Sequence, residues 1–144
     1  MRVLVLHGPN LNLLGEREPE IYGTQTLDEI NESIAGTAKK LGLEVRCEQH
    51  NGEGAIVEAL HAARNEYSGV VINPGAYAHY SYAIADAISA ISIPVVEVHL
   101  SNIAAREPFR RISVTAAACR GSISGLGAGS YVLALRALAE MLSP

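Results

Sequence analysis

Two kinds of apolar run alternate along this chain. Short runs of aliphatic residues, Val3-Leu4-Val5-Leu6, Val70-Val71-Ile72 and Val95-Val96 with Val98, have the length and residue types of strands, placed at Arg2–His7, from Gly69 and over Val95–Leu100. Between them apolar residues return every third or fourth position: Leu27, Ile30, Ile34, Ala38 and Leu41, then Ile56, Val57, Leu60, Ala63 and Tyr67, then Ile84, Ile88 and Ile91, and last Tyr131, Leu135, Leu138 and Leu142. That spacing predicts helices with one buried stripe, the third over Ser81–Ala90 and the last from about Gly127. Thr26, with Glu29 three residues on, predicts a capping box at the start of the first helix, and Gly42 its stop.

One segment has a different period. Leu43, Val45 and Cys47 alternate with Glu44, Arg46 and Glu48, the pattern of a strand over Leu43–Gln49 with one wet face, which suits a sheet edge. Residues 103–118 show no period, and a single turn is expected near Pro108–Arg111 before a short strand at Gly121–Ser124. Five strands alternating with helices predict an α/β fold with a parallel sheet covered on both faces by right-handed crossovers. A flavodoxin-like, three-layer fold of strand order 2-1-3-4-5 puts the half-wet strand at an edge and the continuous Val70–Ile72 run inside. At 144 residues the chain is expected to be one domain.

Composition narrows the function classes. The formal net charge is -4, so nothing favours a phosphate backbone, and no nucleic-acid partner is expected. No apolar run approaches the ~20 residues of a membrane span, and the N-terminal run is too short for a signal segment, so a cytoplasmic protein with no membrane partner is expected. Cys47 and Cys119 stand far apart without neighbouring ligands, which predicts reduced, packed thiols and no metal site.

The stretch Gly8–Gly23, GPNLNLLGEREPEIYG, is too polar and too interrupted for a core element, and long loops of that kind are commonly lids or binding loops; the lid is placed at residues 8–25. In open parallel sheets ligands bind beyond the carboxyl ends of the strands. That rule gathers Asn10, Arg17 and Tyr22 after the first strand, Asn73 and His79 after the third, and Glu97, His99 and Ser101 along the fourth. Alternation puts Glu97, His99 and Ser101 on one face, so a carboxylate stands behind an imidazole and is able to orient it for proton transfer. The plain alternative is a glutamate at the rim, but charges in runs such as Val95-Val96-Glu97-Val98 are seldom buried without a partner.

Arg17 and Tyr22 carry two readings, a solvated ion-pair partner with a packing cap, or a guanidinium that favours the phenolate form of a base. Arg106, Arg110 and Arg111 form a small basic cluster, either a solvated face or a fork for an anionic small molecule. Gly125-Leu126-Gly127-Ala128-Gly129 lacks the Lys-Ser/Thr of a phosphate loop and is read as close helix–strand packing. His7, His50 and His61 have no motif around them and are read as structural or solvated.

GPNLNLLGEREPEIYG, INPGAYAHYSYAIADAI, VEVHLSNIAAREPFR and GLGAGSYVLAL together resemble, in order and spacing, the type II 3-dehydroquinate dehydratases. The resemblance implies a dodecamer of trimers that works without metal or organic cofactor and eliminates water, anti, from 3-dehydroquinate to give 3-dehydroshikimate through an enolate, a step of the shikimate pathway. It implies that Tyr22, activated by Arg17, is the base, that Asn10 holds a water against the enolate oxygen, and that His99, oriented by Glu97, protonates the departing hydroxyl. It also implies substrate contacts from Asn73, His79, Leu100, Ser101 and Arg110, with Arg110 on the carboxylate and Asp86 reaching in from a neighbouring subunit.

The sequence departs from the usual pattern at His50-Asn51-Gly52-Glu53-Gly54-Ala55, at Ala78 and Tyr80 beside His79, and at Ala104; Tyr80 is in a position to reshape the pocket. The rival class is a ligand-binding module of the same fold. A receiver domain wants an aspartate where Asn73 stands, and a flavodoxin a phosphate loop where Pro9 and Leu11 interrupt the amides. An inactive homologue kept as an assembly subunit is the third possibility, and the full set of candidate residues argues against it.

Overall fold

Successive side chains of a strand point to opposite faces, so continuous apolar strands need a layer on each side. The computed structural model, which describes residues 1–144, has that arrangement. Strands β1 (Arg2–His7), β2 (Glu44–Gln49), β3 (Gly69–Asn73), β4 (Val95–His99) and β5 (Gly121–Ser124) form one parallel sheet in the order β2-β1-β3-β4-β5. The helices are α1 (Pro19–Tyr22), α2 (Leu27–Lys40), α3 (Glu53–Glu66), α4 (Tyr82–Ala90) and α5 (Gly129–Leu142).

The two cores divide by strand parity. Val3, Val5, Val71, Val96 and Val98 pack with Ile30 and Ile34 of α2 and Tyr131, Leu135 and Leu138 of α5. Leu4, Leu6, Val70, Ile72 and Val95 pack on the other face with Ile56 and Leu60 of α3 and Ile84 and Ile88 of α4. β3 and β4 are buried throughout, whereas β2 keeps its exposed alternate positions at the edge.

Helix starts follow the sequence signals. The Thr26 hydroxyl accepts from the Glu29 N–H at 3.2 Å, completing the capping box, and Ser81 caps α4 by accepting from the Ile84 N–H. Three expectations are corrected. Gly8–Gly23 is not irregular throughout, since it holds a 3-10 turn at Leu11–Leu13 and α1, which opens on Pro19. β4 ends at His99, one residue short of the expected Leu100. Residues 103–118 contain three 3-10 turns, Ile103–Ala105, Pro108–Arg110 and Ala116–Ala118, tied by local side-chain caps such as Asn102 on the Ala104 N–H.

One contact fixes how the loops leave the sheet. Gly8 donates its N–H to the Asn73 carbonyl at 2.7 Å, and a Cβ at Gly8 would lie 2.6 Å from the Pro74 carbonyl carbon and oxygen. Only glycine allows that approach. Both cysteines are free and half-buried; burial pushes the Cys47 thiol up to about 11 and the Cys119 thiol up to about 12. No helix is long and apolar enough to cross a membrane.

Candidate active site

A cavity of about 110 Å³ lies beyond the carboxyl ends of β1, β3 and β4. Asn10, Arg17 and Tyr22 reach it from the segment after β1, Asn73 and His79 from the end of β3 and the following turn, and His99, Leu100 and Ser101 from the exit of β4. Arg106 and Arg110 close it from the loop after β4. The lining therefore holds three arginines and two histidines and no carboxylate, in a chain of net charge -4. Such a concentration of positive charge in a concave site favours an anionic ligand.

Tyr22 sits at the end of α1, where Pro19 starts a single turn that sets the ring against Arg17. Its hydroxyl oxygen accepts from Arg17 Nη2 at 3.1 Å and from Arg106 Nη1 at 2.6 Å. The two guanidiniums also lie over the ring, 4.3 and 5.1 Å from its centroid. Arginine only donates, so both bonds end on the phenol oxygen. The Arg106 side chain is 12% exposed against 27% for Arg17, which makes Arg106 the more desolvated partner. The only two non-glycine residues with positive φ, Asn10 and Glu18, both lie in this segment; asparagine tolerates that geometry through its short polar side chain.

His99 and Glu97 share a face of β4, as alternation demands. His99 Nε2 donates to Glu97 Oε2 at 2.9 Å, which leaves Nδ1 as the nitrogen available to the cavity. Glu97 is fully buried and takes two further donors, the Ser113 hydroxyl at 2.6 Å on Oε2 and the Thr115 hydroxyl on Oε1. Three donors on one buried carboxylate offset its desolvation and fix its orientation against the imidazole. His79 stacks on His99 with centroids 6.1 Å apart and donates its Nδ1–H to the Ile112 carbonyl at 2.9 Å.

Arg110 donates through Nε to Glu107, and the Arg110 guanidinium holds the Glu107 carboxyl below the usual range, with Arg106 adding to the effect. Asn73 directs its carboxamide oxygen to the Gly75 N–H and its nitrogen to the Tyr131 hydroxyl. Asp86 is exposed on α4 and lines no part of this cavity. Tyr80 is 60% exposed, does not line the cavity and packs on Tyr77, so it leaves the pocket wall unchanged. His7 is fully buried and hydrogen-bonded, one of the two expected roles, whereas His61 is exposed.

Arg106 belongs to a basic cluster in the sequence, and only the fold brings it to Tyr22, 84 positions away. Ser113 and Thr115 carry no sequence signal beyond two hydroxyls spaced two apart, and they meet Glu97 from 16 and 18 positions away. Asn51 was noted only as a departure. Its side-chain oxygen accepts from the Asn10 N–H at 3.0 Å and from Gln49 Nε2 at 2.9 Å, so it supports the loop that carries Asn10.

The fold is found in known proteins. A crystal structure of type II dehydroquinase from Butyrivibrio crossotus superposes with a TM-score of 0.94 at 47% identity, covering 96% of this chain and 97% of that one. The structure of the Propionibacterium acnes type II dehydroquinase gives 0.93 at 47%, with 96% of each chain covered. The 3-dehydroquinate dehydratase of Pelotomaculum thermopropionicum is 57% identical over 141 residues, 98% of each chain. The family profile described as dehydroquinase class II matches residues 1–139, and the chain belongs to that family.

Proposed function

We propose that this chain is a 3-dehydroquinate dehydratase, a hydro-lyase that removes water from 3-dehydroquinate by anti elimination. The observation that carries the reading is Tyr22 Oη held by two guanidiniums on the same cavity as His99, whose other nitrogen rests on a buried carboxylate. Family membership and the cationic lining support it.

The steps follow from those groups. Tyr22, as phenolate, removes the proton from the carbon beside the ketone, and the electron pair moves to the carbonyl oxygen as an enolate. Asn10, whose side chain makes no bond within the chain, holds a water that donates to that oxygen. The enolate then re-forms the ketone and expels the hydroxyl on the adjoining carbon, which takes the Nδ1 proton of the His99 imidazolium and leaves as water. Glu97 stabilises the imidazolium and keeps the ring aligned. The proton returned from Tyr22 to His99 through solvent closes the cycle.

Arg110, Asn73, His79, Leu100 and Ser101 bind the substrate, with Arg110 on its carboxylate in place of part of its pairing with Glu107. Asp86 belongs to the site of a neighbouring subunit, since in its own subunit it stands exposed and away from the cavity. The assembly is a dodecamer of trimers in the cytoplasm, consistent with two unpaired thiols. Segment 8–25 carries the lid, whose moving part lies between Gly15 and Gly23, both of which have positive φ. The ligand-binding module is the weaker reading, because it gives no reason for a base and an acid each activated by its own partner.

Purified protein supplied with 3-dehydroquinate and a chelator, with no added cofactor, is expected to develop the ultraviolet absorbance of a conjugated enone. A flat trace refutes the assignment.

A further inference from the structure

Three polar side chains take no part in the chemistry above, His7 and Tyr131, both fully buried, and Asn31, half-buried on α2. They form a chain of hydrogen bonds that ends on Asn73, and one backbone group fixes every role in it. The Gly75 N–H can only donate, so Asn73 Oδ1, 3.1 Å away, accepts, and Asn73 Nδ2 is the atom 3.0 Å from the Tyr131 hydroxyl. Tyr131 Oη accepts from Nδ2, so its own proton goes to His7 Nδ1 at 2.9 Å. An accepting Nδ1 places the ring proton on Nε2, which donates to Asn31 Oδ1 at 2.8 Å. Four bonds thus run in one direction, from the turn after β3 to α2.

Burial pushes the His7 imidazole down to about 4, against the opposing pull of its bond to Asn31, so the ring is neutral near pH 7 and the direction is kept. A protonated His7 would turn an N–H toward Tyr131 and leave the tyrosine proton without an acceptor. Asn73 itself is 3% exposed and lines the cavity, and the second hydrogen of its Nδ2 has no acceptor within the chain. Turning the carboxamide over would break both of its internal bonds.

We propose that Tyr131, held by His7 and Asn31, is a positioning residue that locks the Asn73 carboxamide so that it presents an N–H donor, never its oxygen, to an acceptor oxygen of the substrate. The proposal rests on the reading of Asn73 as a substrate contact. It makes the cavity selective at this point for a carboxylate, carbonyl or ether-like oxygen over a group that can only donate.

The test is a double-mutant cycle in the dehydratase assay. Tyr131→Phe removes one oxygen, keeps the ring in the core and is expected to lower kcat/KM about tenfold, mainly through a raised KM, because a misaligned binding group weakens ground and transition states together. In an Asn73→Ala background the same change is expected to make no further difference to KM. Equal effects in both backgrounds, or a wild-type KM for Tyr131→Phe, overturn the proposal while leaving Asn73 a substrate contact. A wild-type KM for Asn73→Ala alone refutes the contact itself. Asn31→Ala carries the test if Tyr131→Phe fails to fold. Nitrogen-15 shifts of labelled histidine should report a proton on Nε2 of His7 in the native protein and its redistribution in Asn31→Ala, with KM rising. A redistributed proton at unchanged KM overturns the proposal.

Discussion

The buried imidazole of His7 makes acid stability a quantitative prediction. Its value in the fold is about 4 against an ordinary 6.5. The unfolded chain therefore binds the proton more readily, and stability is lost as pH falls through the window from 6.5 to about 4. Above pH 6.5 the ring is neutral in both states and contributes nothing to the slope. The full interval is worth about 3 kcal/mol at 1.36 kcal/mol per pH unit, and at pH 5 about 2 kcal/mol of it has already gone. That is a large share of an ordinary folding stability of about 5–15 kcal/mol. Urea unfolding at pH 7.5 and pH 5 measures the loss, and His7→Gln provides the control. Glutamine does not titrate, yet it offers an oxygen to the Tyr131 hydroxyl and an N–H to Asn31. Carboxylates elsewhere titrate in both proteins and cancel in the difference. The wild type should lose about 2 kcal/mol more than His7→Gln between the two pH values. Parallel losses would mean that His7 is free to take a proton within the fold, and the reasoning from burial would fail.

Four further outcomes are expected. Tyr22→Phe should lower kcat by a factor of about 10² or more while KM moves little, and matched changes in both would reduce Tyr22 to a contact. Arg106→Ala should reduce kcat more than Arg17→Ala, each by about tenfold or more, because Arg106 makes the shorter and more desolvated bond to Tyr22; the reverse order in steady-state kinetics contradicts this. Thr115→Val should cost about 1–3 kcal/mol in chemical unfolding and also lower kcat, since it strips a donor from the buried Glu97; a stability loss with unchanged kcat would separate the hydroxyl from the His99 alignment. Asp86→Ala should lower activity or weaken assembly, and wild-type sedimentation together with wild-type rate would remove it from the shared site.

The sheet was legible in the sequence because each strand declares its surroundings. The alternation of β2 marks an edge and the unbroken apolar β3 a covered centre, and those two patterns with the connection lengths leave few possible orders. Glu97 and His99 were legible for the same reason, since period two alone puts them on one face. Contacts between distant segments were not. Arg106 meets Tyr22 only because the loop after β4 folds back over α1, and no spacing within either segment encodes that. The loop from 103 to 118 is built from side-chain caps on single turns, which leave no periodic trace. Tyr131 was concealed in plain view: in a helical stripe of leucines an aromatic ring reads as packing, and its hydroxyl acquires a role only once His7 and Asn73 are brought to it by the sheet.

The backbone approach at Gly8 has a consequence for anyone redesigning this pocket. Because Gly8 bonds to Asn73 and lies against Pro74, the loop bearing Asn10 and the loop bearing Asn73 leave the sheet as one welded corner. A methyl group at position 8 would displace both loops together by an amount comparable to the clash it creates. Libraries that vary residues 8–12 while holding 73–76 fixed, or the reverse, will therefore mostly sample mismatched halves. Ile103, on the turn Ile103–Ala105, lines the cavity outside this corner and is the simpler position from which to vary substrate specificity.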